Sequence, residues 1–239
     1  MIRYSLLFLT QNRLGVTARC FRSIAPTLRR PDVEWCILDN GSTDGTAEWL
    51  LRMAEHYPPG KVHVTLRADN TGVAGGRNIL FPKARGEILV SMDSDVEARR
   101  ADWLIKLTAP LADSAIGICG PGGHWLLPDW SWYQPVPEGY KGSSDVVSGF
   151  CQAFRRDVVD QGYKLDMFYN PYWHEDSDWC LQVKAMGLDV WCVGDVGLYH
   201  IYAGTGADNT GHAKQAYLAS KWRGQGLIRV EREAQAVVS

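Results

Sequence analysis

The amino-acid sequence predicts an α/β fold built on a mostly parallel, doubly wound sheet with helices on both faces. In the first half of the 239-residue chain, short apolar runs of strand length alternate with segments whose apolar residues recur at helical spacing. Short connections rich in glycine and proline separate them. Repeated strand–helix units of this kind form parallel sheets through right-handed crossovers.

The first 119 residues account for the predicted parallel part of the sheet. The opening apolar run, residues 4–9, is typical of a strand buried on both faces. Thr43 or Asp44 caps the second helix, and Pro58-Pro59-Gly60 ends it. A glycine-rich turn over residues 70–76 leads into the third helix. The predicted strands cover residues 4–9, 33–38, 62–66, 87–92 and 116–119, and the helices cover 17–28, 44–56, 77–84 and 103–111.

The second half is less regular. Residues 120–144 are rich in Gly, Pro, Trp and Tyr and show no clear period. After them we predict strands at 146–154, 189–193 and 198–202, helices at 156–161, 175–186 and 210–224, and an aromatic loop at 162–173. No repeat or low-complexity linker interrupts the chain, so we expect one domain over 1–239, with halves of 1–119 and 120–205 and a C-terminal helical segment of 206–239.

Composition excludes several classes of protein. With 46% hydrophobic and 22% charged residues, the chain can form an ordinary core, and a net charge of −2 gives no strongly basic footprint for nucleic acid. No apolar run approaches a membrane span, and no small-residue cleavage site follows the first one, so we expect neither a span nor a secretory signal. The six cysteines are scattered without metal-ligand spacing, which favours free thiols and a cytoplasmic location.

Polar clusters follow the predicted strands, at the edge where α/β sheets bind ligands. In Asp93-Ser94-Asp95, two carboxylates could share Mg²⁺ or Mn²⁺, which prefer oxygen ligands; the alternative is a solvated acidic turn. Asp39 at the second strand end could accept hydrogen bonds from a base or ribose, or belong to an ordinary turn in which Asp44 caps the helix.

Two further clusters carry charge next to flexible or helical backbone. The segment of residues 70–78 lacks both dinucleotide-binding and Walker A spacing, but its glycines permit close backbone approach. Its Arg77 could reach a phosphate or neighbouring carboxylates. In residues 174–179, three carboxylates open a helix; they could complement the helix dipole, or one could act as a general base.

In their order along the chain, these motifs resemble the family 2 glycosyltransferases of GT-A fold. The resemblance spans about residues 3–200, much more than one motif. It rests on Thr10-Gln11-Asn12, Asp39 to Thr46, Asn70-x-Gly72, Gly76-Arg77-Asn78, Gly86-Glu87, Asp93-x-Asp95 and Glu175-Asp176-x-Asp178-Trp179.

The resemblance implies an inverting transfer from a nucleotide-diphosphate sugar with Mn²⁺ or Mg²⁺. Asp176 is implied as the general base, and Asp39 as the residue that recognises the base, commonly uracil or another pyrimidine. Residues 1–119 become the nucleotide-sugar half. The residues implied to contact the donor nucleotide are Thr10, Asn12, Asp39, Asn70, Arg77, Asp93 and Ser94, and those implied to bind the metal are Asp93, Asp95 and His200. For His200, an ordinary histidine at a strand end is the alternative.

The second half is implied to hold the acceptor, a carbohydrate or another hydroxyl-bearing molecule. Six of the ten Trp residues lie between residues 120 and 195, and aromatic faces stack on sugars. Packing in the core or in loops is the alternative for each of them, and residues 121–140 are long enough for a mobile lid. The predicted acceptor-side residues are Trp125, Trp130, Trp132, Gly149, Trp173 and Glu175.

Some positions depart from the family pattern. Gln11 stands where the family often has Tyr or Phe, and Gln182 where many members have Arg, so base stacking and a diphosphate contact are not predicted there. The Gln-x-x-Arg-Trp signature of processive synthases is absent. A sugar nucleotidyltransferase and a non-catalytic nucleotide-sugar-binding module are the alternative functions. No nucleic acid is expected as a partner, and peripheral membrane association stays open.

Overall fold

The structure is a computed structural model that describes residues 1–201 and 211–228. Its first half contains β1 (Tyr4–Thr10), α1 (Leu14–Ile24), β2 (Val33–Asn40), α2 (Thr46–Ala54), β3 (Val62–Arg67), α3 (Gly72–Leu80), β4 (Ile88–Asp93), β5 (Val96–Ala98), α4 (Trp103–Thr108) and β6 (Ile116–Gly120). Its second half contains β7 (Gly123–Leu126), β8 (Tyr133–Pro135), β9 (Gly142–Ser143), β10 (Val146–Val147), β11 (Cys151–Arg155), α5 (Arg156–Asp160), α6 (Glu175–Ala185), β12 (Asp189–Cys192), β13 (Leu198–His200) and α7 (Gly211–Trp222).

An eight-stranded sheet forms the centre of the molecule, in the order β3-β2-β1-β4-β11-β6-β12-β9. Strands β3, β2, β1 and β4 are parallel, and β12 is parallel to β6. Strand β11 runs antiparallel between β4 and β6, and β9 is antiparallel to β12. The predicted mostly parallel α/β sheet is therefore confirmed, with two antiparallel strands added. Both halves of the chain contribute to the same sheet.

Apolar side chains cover both faces of this sheet, which explains the continuous apolar runs of β1 and β2. Along β1, Leu6 and Phe8 belong to one buried cluster, while Leu7 between them belongs to another on the opposite face. Five of the ten tryptophans are buried in the core. They are Trp35, Trp103, Trp130, Trp179 and Trp222.

The glycines of residues 72–76 form the first turns of α3, where the sequence predicts a turn before the helix. A Cβ atom at Gly76 would lie 2.4 Å from Cδ1 of Leu9 on β1. Glycine at this position therefore allows the helix to pack closely on the end of the strand. The close approach places the following residue, Arg77, beneath the carboxyl end of the sheet.

The strand predicted at residues 146–154 is interrupted by residues 148–150. Strand β10 pairs with β7 in a small three-stranded sheet, whereas β11 enters the large sheet beside β4. The peptide N–H groups of Ser148 and Gly149 leave the strand ladder and donate to the Gly122 carbonyl and to Asp176. Because the chain changes sheets here, a backbone segment is brought to the edge where the parallel strands end.

Strand β5, which the sequence does not predict, and the short strand β13 position a further histidine. Strand β5 follows directly after Asp95 and pairs antiparallel with β13, so that His200 lies opposite Val96. The predicted strand at 198–202 is observed over Leu198–His200, and its end at Tyr202 lies outside the described residues.

Helix α7 packs against α6 through a buried polar network around Asp178, which is 0% exposed. The carboxylate accepts hydrogen bonds from Trp222 Nε1 at 2.7 Å and from Gln182 Nε2 at 2.8 Å, and Lys221 Nζ lies 2.9 Å away. Of the three carboxylates predicted at the start of this helix, Asp178 therefore has a structural role. Within residues 1–201 and 211–228, no helix has the length and apolar character that a membrane crossing needs.

Candidate functional site

A cleft of about 360 Å³ opens at the carboxyl ends of β1, β2 and β4. Thr10, Asn70, Asp93, Ser94 and Asp95 line it, as the positions of the strand ends predict. Parallel strands finish at one edge of a sheet, so residues distant in sequence share this cleft. Its other walls come from Asn40, from the starts of α1 and α3, and from Pro171 and Tyr172.

Asp93, Asp95 and His200 form an acidic group at the cleft. One ligand atom from each residue lies within 4.8 Å of the others. His200 Nε2 is 3.1 Å from Asp95 Oδ1 and 3.9 Å from Asp93 Oδ2, and the Phe150 ring stacks on the imidazole at 4.9 Å. Two carboxylates and an imidazole are ligands for a divalent cation such as Mn²⁺. The three residues therefore fit a metal site.

Burial and neighbouring charges shift the pKa values of Asp93 and His200 in this group. Burial raises the pKa of Asp93. The positive charges of Arg77 and His200 oppose this shift, and the negative charge of Asp95 adds to it. Because 37% of the Asp93 side chain is exposed, solvent moderates the shift. Burial alone would lower the pKa of His200, but its hydrogen bond to Asp95 and the charges of both aspartates outweigh it, so that pKa is raised. A proton on His200 would compete with a metal ion for this nitrogen, so we expect acid to weaken metal binding.

Arg77 contacts carboxylates and backbone beneath the cleft. Its side chain is 3% exposed, and Nη2 donates to Asp93 Oδ1 at 2.8 Å and to the Gly149 carbonyl at 2.9 Å. Nη1 lies 3.9 Å from Glu175 Oε1. The sequence left two partners open for Arg77, a phosphate or neighbouring carboxylates, and the structure shows contacts with the carboxylates. Arg77 thus links the end of β4, which carries Asp93, to the start of α6.

Asp176 lies in the first turn of α6, and Gly149 holds its carboxylate. The Gly149 N–H donates to Oδ2 at 3.0 Å, and Ser177 donates to Oδ1 from its N–H at 2.7 Å and from Oγ at 3.2 Å. A Cβ atom at position 149 would lie 2.8 Å from Asp176 Oδ2, so glycine is needed here to leave room for the carboxylate. The same glycine binds Arg77 through its carbonyl, which joins the half-buried carboxylate to the metal-site side.

Glu175 differs from its neighbour because it is buried. Burial raises its pKa to about 7, and the charge of Asp176 adds to this, whereas Arg77 opposes it. The folded protein therefore holds a proton that the unfolded chain, with an ordinary glutamate pKa of 4.5, has already lost near neutral pH. Glu175 was predicted on the acceptor side, but its 6% exposure leaves little surface for an acceptor.

We expect the free energy of unfolding to fall as pH rises from 4.5 to about 7, and to level off above it, because deprotonation of Glu175 is disfavoured only in the folded state. At about 1.4 kcal/mol per pKa unit, the loss is of the order of 3 kcal/mol. Urea unfolding of the wild type and of Glu175→Gln across this range measures it. The difference between the two curves isolates Glu175, and a constant difference would contradict the prediction.

The other residues predicted to bind the nucleotide occupy different places. Thr10 Oγ1 lies 3.2 Å from Thr17 Oγ1 at the base of the cleft. Asn12 instead joins two loops, since its Oδ1 accepts from the Thr43 N–H and its N–H donates to Ser42 Oγ. Asp39 is 1% exposed, accepts from the Ser42 N–H and lies outside the cleft lining. The nucleotide roles of these residues stay predictions.

The predicted acceptor-side tryptophans divide by exposure. Trp132 and Trp173 are exposed, at 45% and 36%, whereas Trp130 is 5% exposed in a cluster with Tyr169, Leu218 and Trp222. Trp130 therefore packs in the core in this structure and presents no face to a sugar. The half-buried Trp125 donates from Nε1 to the Ser143 carbonyl.

Sequence patterns gave no sign of the contacts behind Asp176. Tyr133 on β8 donates to Ser177 Oγ at 3.0 Å, and its hydroxyl lies 2.7 Å from His174 Nδ1. Tyr133 and Ser177 are separated by 44 residues, and β8 is a short strand without a periodic signal. Phe150, which stacks on His200, was missed for the same reason. The pairing of short strands, which residue spacing does not reveal, brings these residues together.

The chain is similar in sequence to known proteins over much of its length. The chain is 23% identical over 254 residues to "Uncharacterized protein y4gI" of Sinorhizobium fredii, a match that covers 92% of this chain and 27% of that protein. It is 26% identical over 168 residues to dolichol-phosphate mannosyltransferase of Saccharomyces cerevisiae, covering 63% of this chain and 61% of the relative. The chain thus spans less than two thirds of either relative.

A solved structure and a family model show the fold and the family. The mannosyltransferase PcManGT from Pyrobaculum calidifontis, solved with GDP-Man and Mn²⁺, superposes with a TM-score of 0.69 at 20% identity, covering 92% of this chain and 61% of that one. The model of glycosyl transferase family 2 matches residues 5–162. With the acidic group at the sheet edge and the motifs in family order, the chain belongs to glycosyltransferase family 2 and has a GT-A fold.

Proposed function

We propose that the protein transfers a sugar from a nucleoside diphosphate sugar to an acceptor hydroxyl, with inversion at the anomeric carbon. One observation carries the proposal: Gly149 joins the Asp176 carboxylate, through Arg77, to the Asp93, Asp95 and His200 group at the mouth of the cleft. A carboxylate for proton removal thus lies beside a site for a cation and a diphosphate. We propose that the donor carries a pyrimidine base. We also propose that the protein is cytoplasmic, which its six unpaired cysteines support.

The donor is proposed to occupy the cleft lined by Thr10, Asn70 and Ser94. Asp93, Asp95 and His200 would hold Mn²⁺ or Mg²⁺, which supplies positive charge to stabilise the leaving diphosphate. Arg77 keeps Asp93 in place from below, so that the carboxylate is oriented before the donor binds. The mannosyltransferase that shares the fold was solved with GDP-Man and Mn²⁺, which supports a nucleotide sugar and a metal as ligands.

The reaction is a single displacement. The acceptor oxygen forms a bond to the anomeric carbon as the bond from that carbon to the diphosphate oxygen breaks, and the bonding pair leaves with the diphosphate. The acceptor proton passes to Asp176, which acts as a general base. The N–H groups of Gly149 and Ser177 orient the carboxylate for this transfer. Attack opposite the leaving group inverts the anomeric carbon.

A panel of UDP- and GDP-sugars, incubated with the protein, an acceptor mixture and Mn²⁺, tests the function. A true donor should raise the melting temperature, because ligand binding stabilises the folded state. Turnover should release the nucleoside diphosphate, and NMR of the product should show the inverted anomer. In a parallel incubation with UTP or GTP and sugar 1-phosphates, release of pyrophosphate would indicate nucleotidyl transfer instead. Stabilisation without any product would indicate a binding module.

Gly149→Ala should reduce transfer by about 10²-fold, because an added methyl displaces the Asp176 carboxylate and misplacement by about 1 Å has an effect of this size. Donor binding should be retained, since Gly149 does not line the donor cleft. Steady-state kinetics beside a calorimetric titration of the nucleotide separate the two. Gly162→Ala provides a control, since nothing lies within 4 Å of its added Cβ and Gly162 does not line the donor cleft, although its φ of +88° adds strain. An active Gly149→Ala enzyme would contradict the proposed position of the base.

A further inference from the structure

A second cleft of about 360 Å³ opens at the carboxyl ends of β6 and β12. These strands run parallel to β4, so the second cleft faces the same side of the sheet as the donor cleft. Its polar and aromatic walls come from His124, Glu138, Tyr140, Ser148, Phe150 and Asp195. None of these residues lines the donor cleft.

Residues 148–150 form the wall between the second cleft and the catalytic group. Ser148 and Phe150 line the cleft, and Gly149 between them donates to Asp176 and binds Arg77. On its other side, Phe150 stacks on His200 of the metal group. Because neighbouring Cα atoms are about 3.8 Å apart, the cleft comes within one residue of the backbone group that holds the Asp176 carboxylate.

The charges of the second cleft select among acceptors. Glu138 and Asp195 are exposed carboxylates in its wall, and no lysine or arginine is among its described lining residues. Burial lowers the pKa of His124, against the opposing charge of Asp176, which favours its neutral imidazole. A phosphate in the cleft would meet two carboxylates, and none of the described lining residues offers it a cation; Arg100, which interacts with Asp195, lies outside the lining. Sugar hydroxyls can donate to these carboxylates, and the rings of Tyr140 and Phe150 offer apolar surface.

We propose that this second cleft binds the acceptor, and that the acceptor is an uncharged, hydroxyl-rich carbohydrate and not a phosphate-bearing lipid. The inference rests on the proposed function. A hydroxyl of the bound carbohydrate reaches past the 148–150 wall and gives its proton to Asp176. Its oxygen bonds to the anomeric carbon, and the electron pair of the broken bond leaves on the donor diphosphate.

Saturation-transfer NMR tests this assignment directly. The probes are p-nitrophenyl glycosides of neutral hexoses and, separately, farnesyl phosphate, each added to the full chain with Mg²⁺ and UDP or GDP. At least one glycoside should bind the wild type, and farnesyl phosphate should not bind. Glu138→Lys should weaken glycoside binding at least tenfold, because it removes an acceptor of hydroxyl hydrogen bonds from the cleft wall. Glu87→Lys, on an exposed glutamate just before β4 at the opposite sheet edge, should leave it unchanged.

The results distinguish a failure of the acceptor assignment from a failure of the proposed function. Calorimetric binding of UDP or GDP with Mg²⁺ reports on the donor cleft and should be the same in wild type and Glu138→Lys. If nucleotide binds but no glycoside does, if Glu138→Lys binds glycosides as the wild type does, or if farnesyl phosphate binds, the acceptor assignment is overturned and the proposed function stands. If no nucleotide binds the wild type, the proposed function itself fails. Glu138 is exposed, so the variant should melt as the wild type does.

Discussion

Replacing Asp176 by asparagine is expected to lower the rate of glycosyl transfer by about 10²- to 10⁴-fold, the usual contribution of a general base. Asparagine has nearly the same shape, and its one amide oxygen can still accept from the Gly149 N–H or from the Ser177 N–H. The substitution removes the other of these two hydrogen bonds and, above all, the ability to take the acceptor proton. The effect should therefore fall on kcat, with little change in the affinity for the donor, whose cleft Asp176 does not line. Initial rates at saturating donor, with calorimetry of nucleotide binding, measure both quantities.

A matched control lies on α5. Asp160 is another aspartate near a helix end. Its side chain is 61% exposed, and its carboxylate forms a long surface ion pair of 4.0 Å with Arg156. Asp160→Asn should transfer sugar at the wild-type rate, because surface pairs of this kind contribute little. Transfer by Asp176→Asn within about twofold of wild type would exclude Asp176 as the base, since even a weak general base contributes about 10²-fold.

Asp95→Ala is expected to abolish the dependence of nucleotide binding on Mn²⁺ and to lower transfer by more than about 10²-fold. The second figure follows because stabilisation of a leaving group by a metal is worth several kcal/mol and each 1.4 kcal/mol corresponds to about tenfold in rate. The variant removes one of the three side chains that could hold the ion and also releases the hydrogen bond to His200. Titration of UDP and GDP with Mn²⁺, and again with EDTA, measures the dependence.

A control variant and the pH dependence of Mn²⁺ binding test whether the effect of Asp95→Ala comes from the metal site. Asp157→Ala alters an exposed aspartate of α5, far from the cleft in the fold, and should leave the Mn²⁺ dependence intact. In the wild type, Mn²⁺ affinity should fall as the solution is acidified, since the raised pKa of His200 makes a proton compete with the metal. Equal nucleotide binding by Asp95→Ala with Mn²⁺ and with EDTA, at the wild-type level, would show that no metal bridges the nucleotide at this residue.

Much of the donor edge was predictable because parallel strands finish together. Thr10 and Asp93 end β1 and β4, and Asp39 lies opposite Thr10 near the end of β2. Apolar runs marked the strands, and the polar residues after them marked their ends. The same reasoning could not tell that Asp39 would be buried outside the cleft. That depends on the turn after β2, where the Ser42 N–H binds its carboxylate.

The surplus of tryptophan shows where composition misleads. Its concentration in residues 120–195 suggested a sugar-facing surface, yet Trp130 and Trp179 are buried. Trp179 packs with Phe81 and Phe154 across the sheet, and Trp130 packs under α7. Composition counts side chains without regard to direction, whereas burial depends on which neighbours the fold places above them.

The sequence by itself determined the α/β sheet, the order of its motifs and the family, since these follow from local periodicity and from residues close together in the chain. Tertiary structure alone decided that His200 joins Asp95 across 105 residues, that Arg77 binds carboxylates beneath the cleft, and that Gly149 holds Asp176. Each of these contacts depends on short strands and close packing. Their stability comes from long-range pairing, which leaves no periodic signal along the chain.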